Sequence, residues 1–145
     1  MVTVDEEALE AAFDWSACTL ADPRQDVNAC RGFADPAARG AKGRAGTQLA
    51  EGLRLAWQGD LDRAIAAFDR AIDAVPDLSI AYPNRGLAYQ QRGDLRRALA
   101  DFDRAIARDP RDARAFYHRS QLQRARGDTR RADADARRAI ELSGN

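Results

Sequence analysis

Three side chains in this 145-residue chain are of types that commonly do chemistry: Cys18, Cys30 and the single histidine, His118. The two cysteines could form a disulfide or pack as two buried thiols. Their spacing and the distant histidine do not suit a zinc site, which needs a cluster of nitrogen and sulfur ligands. We therefore expect no metal, no cofactor and no Cys–His catalytic pair.

Two pairs of carboxylates, Asp101 with Asp103 and Asp133 with Asp135, could suggest acid–base chemistry. Residues two apart on a helix point about 200° away from each other, so the members of a pair cannot share a site. We expect all four to lie on solvated helix surface. No glycine-rich loop follows a predicted strand, as a phosphate site would require. The sequence therefore predicts that the protein is not an enzyme.

The helices that position these side chains repeat along the chain. A Gly-Asp pair recurs at a strict 34-residue offset. Its copies are Gly59-Asp60, Gly93-Asp94 and Gly127-Asp128. Glycine can adopt the left-handed conformation that ends a helix, and aspartate is a good N-cap for the next one. A fixed period of this length indicates a stack of like units, none able to bury its apolar face alone.

Seven positions of one unit match a known repeat pattern. They are Tyr82, Gly86, Tyr89, Ala98, Phe102, Ala105 and Pro110. The preceding unit matches at Gly52, Ala64, Phe68, Ala71 and Pro76. This pattern resembles the tetratricopeptide repeat family. The resemblance implies an all-α, right-handed α-α superhelix, a solenoid of helical hairpins with about eight helices.

We divide the chain into four predicted units. Residues 45–78 are the first repeat, 79–112 the second, and 113–145 a degenerate third that caps itself. The self-capping role is expected because a stack needs a polar outer surface on its last member. Residues 1–44 are expected to form a degenerate helical hairpin, an N-terminal cap.

The N-terminal hairpin places the two cysteines near each other. One helix is predicted from about Asp5 to Thr19 and a shorter one after Pro23, with Ala34 near its end. Cys18 and Cys30 would then face each other across the turn, and a disulfide would stabilise the cap by about 3 kcal/mol. Such a bond favours a periplasmic or other extracytoplasmic location, with the cytoplasm as the alternative.

In the tetratricopeptide repeat family, which this sequence resembles, the first helix of each hairpin lines a concave groove that binds a peptide or a partner's helix. The residues expected to line it here are Leu49, Leu53, Trp57, Ile80, Asn84, Leu87, Gln91, Arg114, Tyr117, His118, Gln121 and Arg124. The resemblance places Asn84 where it would bond a ligand's main chain, and Arg114 where it would hold a carboxylate. Packing against the N-terminal cap is the alternative role for Leu49 and Leu53.

Composition limits the partners. The chain has 23 basic and 23 acidic residues, although residues 113–145 alone carry a net +4. No stretch is long and apolar enough to cross a membrane. We expect a protein-interaction scaffold whose partner is another protein or peptide, and the sequence leaves a homodimer open. The alternative is an anion- or nucleic-acid-binding module, which zero net charge disfavours. It would use Arg114, Arg119, Arg124, Arg126, Arg130 and Arg131.

Overall fold

The computed structural model describes residues 18–30 and 40–144, and every regular element in these ranges is helical. The six α-helices are α1 (Ala41–Trp57), α2 (Leu61–Ala74), α3 (Ala81–Arg92), α4 (Leu95–Arg108), α5 (Ala113–Ala125) and α6 (Thr129–Ser143). A 3-10 helix spans Val27–Cys30. None of these helices is long and apolar enough to cross a membrane.

Each α-helix packs against the next one in sequence. The pairs α1–α2, α3–α4 and α5–α6 form three hairpins, and the contacts of α2 with α3 and of α4 with α5 join the hairpins into a stack. The predicted all-α solenoid of helical hairpins is confirmed for these residues. The boundaries of the four predicted units stay a prediction.

The turn between the two helices of a hairpin has the same construction three times. Gly59, Gly93 and Gly127 have φ values of 86°, 90° and 83°, which favour glycine. The aspartate that follows each glycine caps the next helix, as when Asp60 accepts a hydrogen bond from the amide of Arg63. Its own amide bonds a carbonyl of the helix just ended. The predicted role of each Gly-Asp pair, to end one helix and begin the next, is confirmed.

A phenylalanine fills the interior of each of the first two hairpins. Phe68 and Phe102 have no exposed surface. A Cβ built on Gly52 would lie 2.5 Å from Cε1 of Phe68, and one on Gly86 would lie 3.0 Å from Cε2 of Phe102. The two rings therefore occupy the space that the missing side chains leave, which lets the helices of each hairpin approach closely.

The N-terminal region differs from the predicted hairpin where the structure describes it. Cys18 and Thr19 are not helical, and the shorter predicted helix is represented by the 3-10 turn Val27–Cys30. Residues 23–26, where the second helix is expected to begin, are not helical either, and the other parts of both predicted helices lie outside the described residues. Between them, hydrogen bonds from Asp22 N to Thr19 O and from Gln25 N to Asp22 O form two successive tight turns.

Candidate partner-binding site

Asn84 lies on α3 and binds main-chain atoms of the chain's own N-terminal segment. Its Oδ1 accepts a hydrogen bond of 2.7 Å from the amide of Leu20, and its Nδ2 donates one of 3.0 Å to the carbonyl of Cys18. Nδ2 also donates to the carbonyl of Ile80 at 3.0 Å. Asn84 is 1% exposed, and these bonds satisfy its side-chain amide, whose burial without hydrogen bonds would be unfavourable.

Trp57 holds the same segment from α1. Its indole Nε1 donates to the carbonyl of Leu20 at 3.1 Å. Both main-chain polar groups of Leu20 are therefore bonded to side chains of the helical stack, one on α1 and one on α3. The side chain of Leu20 is buried in the apolar core that also contains Leu49 and Leu53.

A disulfide closes the segment that these two side chains hold. Cys18 and Cys30 are bonded through their sulfur atoms, with Cα atoms 4.5 Å apart, which confirms the predicted pairing. Both residues are buried. The 3-10 helix that ends in Cys30 packs against α1. Residues 18–30 thus form a short cross-linked loop, which we call the N-terminal loop, lying on α1 and α3.

The apolar residues predicted to line the groove are covered in this conformation. Leu49 and Leu53 have no exposed surface, and Leu87 is nearly buried. All three belong to one core cluster with Cys18 and Cys30. These leucines therefore offer almost no free surface to a partner in this conformation.

The C-terminal end of the predicted site is built around His118. Its ring stacks on Phe102 with centroids 5.4 Å apart, and Tyr117 lies at the same distance on a tilted plane. Burial, and to a lesser extent the charge of Arg114, lower the pKa of His118 to about 4, although a hydrogen bond with Gln121 opposes both. His118 is therefore neutral near pH 7, and its environment is that of a packed interior ring.

The remaining predicted residues keep polar atoms near solvent. Gln91 is exposed, and Gln121 is half-buried and donates to the Tyr117 hydroxyl at 2.8 Å. Arg124 forms an ion pair of 3.1 Å with Asp133 of α6. The charge of Arg124 is thus directed at its own hairpin.

Two partly buried ion-pair networks, one repeat apart, were not predicted from the sequence. Arg85 donates to both oxygens of Asp101, at 2.9 and 2.7 Å, and reaches back to Asp69 of the preceding hairpin at 2.8 Å. One unit later, Arg119 bonds both oxygens of Asp135 and also Asp103. Each arginine therefore ties its own hairpin to the one before it.

These networks overturn the prediction that all four carboxylates are solvated. Asp101 has no exposed surface and Asp135 is buried, whereas Asp103 is exposed as expected. The prediction for Asp101 and Asp135 is wrong because each carboxylate receives a two-point bond from an arginine on the facing helix. A comparison of the repeats could have revealed these pairs, because the arginine and the buried aspartate are present together or absent together. In the first repeat, Glu51 stands at the arginine position and Ala67 at the buried aspartate position.

The aspartate partners stabilise the charged forms of Arg85 and Arg119. Burial lowers the pKa of Arg85, but hydrogen bonds and attraction from Asp101 and Asp69 outweigh it and raise that pKa above its ordinary value. The hydrogen bond from Asp135 raises the pKa of Arg119. Arg119, Arg124 and Arg131 all pair with aspartates, so much of the positive charge of the third unit is neutralised locally.

Two tetratricopeptide repeat models match the chain, one over residues 49–82 and one over residues 80–112. No curated protein sequence matches it. Among solved structures, the second TPR of Spaghetti (RPAP3) bound to HSP90 peptide SRMEEVD is 25% identical, with a TM-score of 0.66 over 68% of this chain and 92% of that one. The first TPR of the same protein, bound to the same peptide, is 26% identical, with a TM-score of 0.68 over 70% and 81%.

A crystal structure of MamA shares the fold over a longer stretch. It covers 97% of this chain and 80% of its own, with a TM-score of 0.64 and 19% identity. The two repeat models match the hairpins that carry Phe68 and Phe102, and the solved structures share the stacked arrangement of these hairpins. Residues 49–112 of this chain are therefore tetratricopeptide repeats, within a stack that has the fold of tetratricopeptide repeat proteins.

Proposed function

We propose that this protein is a non-catalytic interaction module that binds an extended peptide or a partner helix on the face formed by α1, α3 and α5. One observation carries the proposal: Asn84 and Trp57 already bind main-chain groups of a polypeptide segment, the N-terminal loop, on this face. Two domains of one protein, each similar to this chain over about two thirds of its length, are described as bound to a peptide.

The chemistry of the face favours a peptide with an apolar part and an acidic group. Asn84 offers one acceptor and one donor to a main chain whatever its sequence, because its second N–H bonds the carbonyl of Ile80. Leu49, Leu53 and Leu87 would supply burial for an apolar side chain once the loop is displaced. Arg114, at the C-terminal end of the face, would attract a carboxylate, and that attraction would weaken as salt is added.

Photo-crosslinking with matched positions tests the face. A photoreactive residue is placed at Gln91 or Gln121 on the first helices of their hairpins, and as controls at Arg70 on α2 or Arg137 on α6. Each protein is irradiated in an extract of its native host, and the crosslinked peptides are identified by mass spectrometry. We expect one partner at Gln91 and Gln121 that the controls do not capture. A partner captured only at Arg70 or Arg137 would contradict the proposal.

The identified partner is then titrated against two arginine variants. Arg114→Ala should weaken binding more at low salt than at high salt, because the contact is partly exposed. Arg137→Ala, on the opposite face, should bind like the unchanged protein. Equal binding by both variants at every salt concentration would remove Arg114 from the site.

A further inference from the structure

We infer that residues 18–22 are an internal ligand of the Asn84–Trp57 pair, and that an external partner must compete with them for these two side chains. The inference deepens the proposed function and rests on it for the identity of the binding face. It assigns to that face an occupant that belongs to the chain itself.

The bonding pattern is that of a recognised peptide. The carboxamide of Asn84 spans from the carbonyl of Cys18 to the amide of Leu20, and Trp57 takes the carbonyl of Leu20. All three bonds go to the main chain, and none depends on the side chains of the segment. Residues 64 and 66 apart in sequence are joined by the Asn84 bonds, so the contact is tertiary and not a feature of a turn.

Leu20 supplies the apolar anchor. It is 5% exposed, and it belongs to the core cluster that includes Leu49 and Leu53. Burial of an aliphatic side chain of this size favours such a contact. An external partner would therefore need a residue with both main-chain groups free and an aliphatic side chain that can replace Leu20.

The N-terminal loop is built to hold this shape before it docks. The Cys18–Cys30 disulfide closes it, and two tight turns and a 3-10 helix use its own main-chain groups. A preorganised ligand loses little entropy on binding, so the disulfide raises the affinity of the loop for the face.

A peptide corresponding to residues 18–30, with blocked ends and the disulfide formed, is the probe. It is titrated into the full-length protein and into Leu20→Asp, which weakens the internal ligand but leaves Asn84 and Trp57 in place. The readout is the indole ¹H–¹⁵N signal of Trp57, assigned by comparison with Trp15→Phe. Hydrogen exchange at the amide of residue 20 reports whether the loop has been released.

We expect the amide of residue 20 to exchange much faster in Leu20→Asp than in Arg24→Ala, an exposed change on the same loop. The peptide should bind Leu20→Asp about tenfold or more tighter than the unchanged protein, because the face is vacant. Adding Asn84→Ala to Leu20→Asp should lower that affinity by about tenfold. The same peptide with serine in place of both cysteines should bind more weakly than the oxidised one.

Slow exchange in Leu20→Asp, or equal peptide affinity for that variant and the unchanged protein, would overturn the inference, as would no binding to either. Leu20→Ala gives the same comparison with a smaller effect if the aspartate variant does not fold. These outcomes leave the proposed function intact, because an external partner can bind the face in another way. Crosslinking only at Arg70 or Arg137 would instead refute the proposed function and leave the internal contact untouched.

Discussion

Arg85 and Asp101 form a two-point ion pair across the hairpin of α3 and α4, and the carboxylate has no exposed surface. The exposed side chain of Arg104 adds a third bond at 3.2 Å. A buried carboxylate that loses its partner retains the cost of leaving water. The stability of this hairpin therefore depends on Arg85 more than it would on an arginine in an exposed ion pair.

We expect Arg85→Leu to lower the free energy of unfolding by roughly 3 kcal/mol, since Asp101 would be left with Arg104 alone. Urea denaturation measures the change. The control is Arg97→Leu, which removes an exposed pair with Asp94 and should cost less than about 1 kcal/mol. The double variant Arg85→Leu with Asp101→Ala should recover most of the loss. A single variant as stable as the control would show that the pair contributes little.

The sequence could predict the parts of the fold that repeat. The Gly-Asp turns, the caps and the Phe68 position follow from local rules applied at one period, and they agree with the structure. The Arg85 network was missed because its partners lie 16 residues away on facing helices, a spacing that becomes a contact only once the hairpin is formed. The network could have been recognised only by comparing the repeats with one another, and not from the sequence of any single repeat.

The occupant of the predicted binding face could not be read from periodicity at all. Residues 18–30 do not belong to the repeat, so no offset relates Leu20 to Asn84. The resemblance implied that Asn84 bonds the main chain of a ligand, and the structure has it bonded to the chain's own main chain. The disulfide could be predicted, because Cys18 and Cys30 lie on either side of a predicted turn and a turn can bring two Cα atoms within the short distance that a disulfide requires.

The close approach of Phe68 to Gly52 predicts unequal effects of two matched substitutions. Gly52→Ala would place a methyl group 2.5 Å from the Phe68 ring, whereas Gly86→Ala would place one 3.0 Å from the Phe102 ring. We expect Gly52→Ala to lower stability by about 1–3 kcal/mol through overpacking, and Gly86→Ala to lower it less. Thermal unfolding of the two variants measures the difference. The reverse order would show that the α1–α2 hairpin opens more easily than the α3–α4 hairpin.

His118 predicts a loss of stability in mild acid. Its pKa falls from 6.5 to about 4 in the folded protein, chiefly by burial and then by the charge of Arg114. Below pH 6.5 the unfolded chain binds a proton at His118 that the folded protein does not bind until about pH 4. The stability that this depressed pKa provides is complete above pH 6.5 and is lost over that window, by roughly 3 kcal/mol.

Denaturation of the unchanged protein and of His118→Gln at pH 7 and pH 4.5 isolates this effect. Carboxylates titrate in both proteins, so the difference between the two pH dependences belongs to His118. The unchanged protein should lose more stability on acidification than the variant does. Identical pH dependences would place the imidazole in a solvated setting.

The Cys18–Cys30 bond predicts both a thiol count and a stability change. Protein isolated from its native host, denatured without reductant, should contain no titratable thiol. Reduction should lower the free energy of unfolding by about 3 kcal/mol, because the bond closes a loop with a sequence separation of 12. The double variant Cys18→Ser with Cys30→Ser should match the reduced protein. Two titratable thiols in the native material, or a reduced protein as stable as the oxidised one, would show that the N-terminal loop is held by its contacts with Asn84 and Trp57 alone.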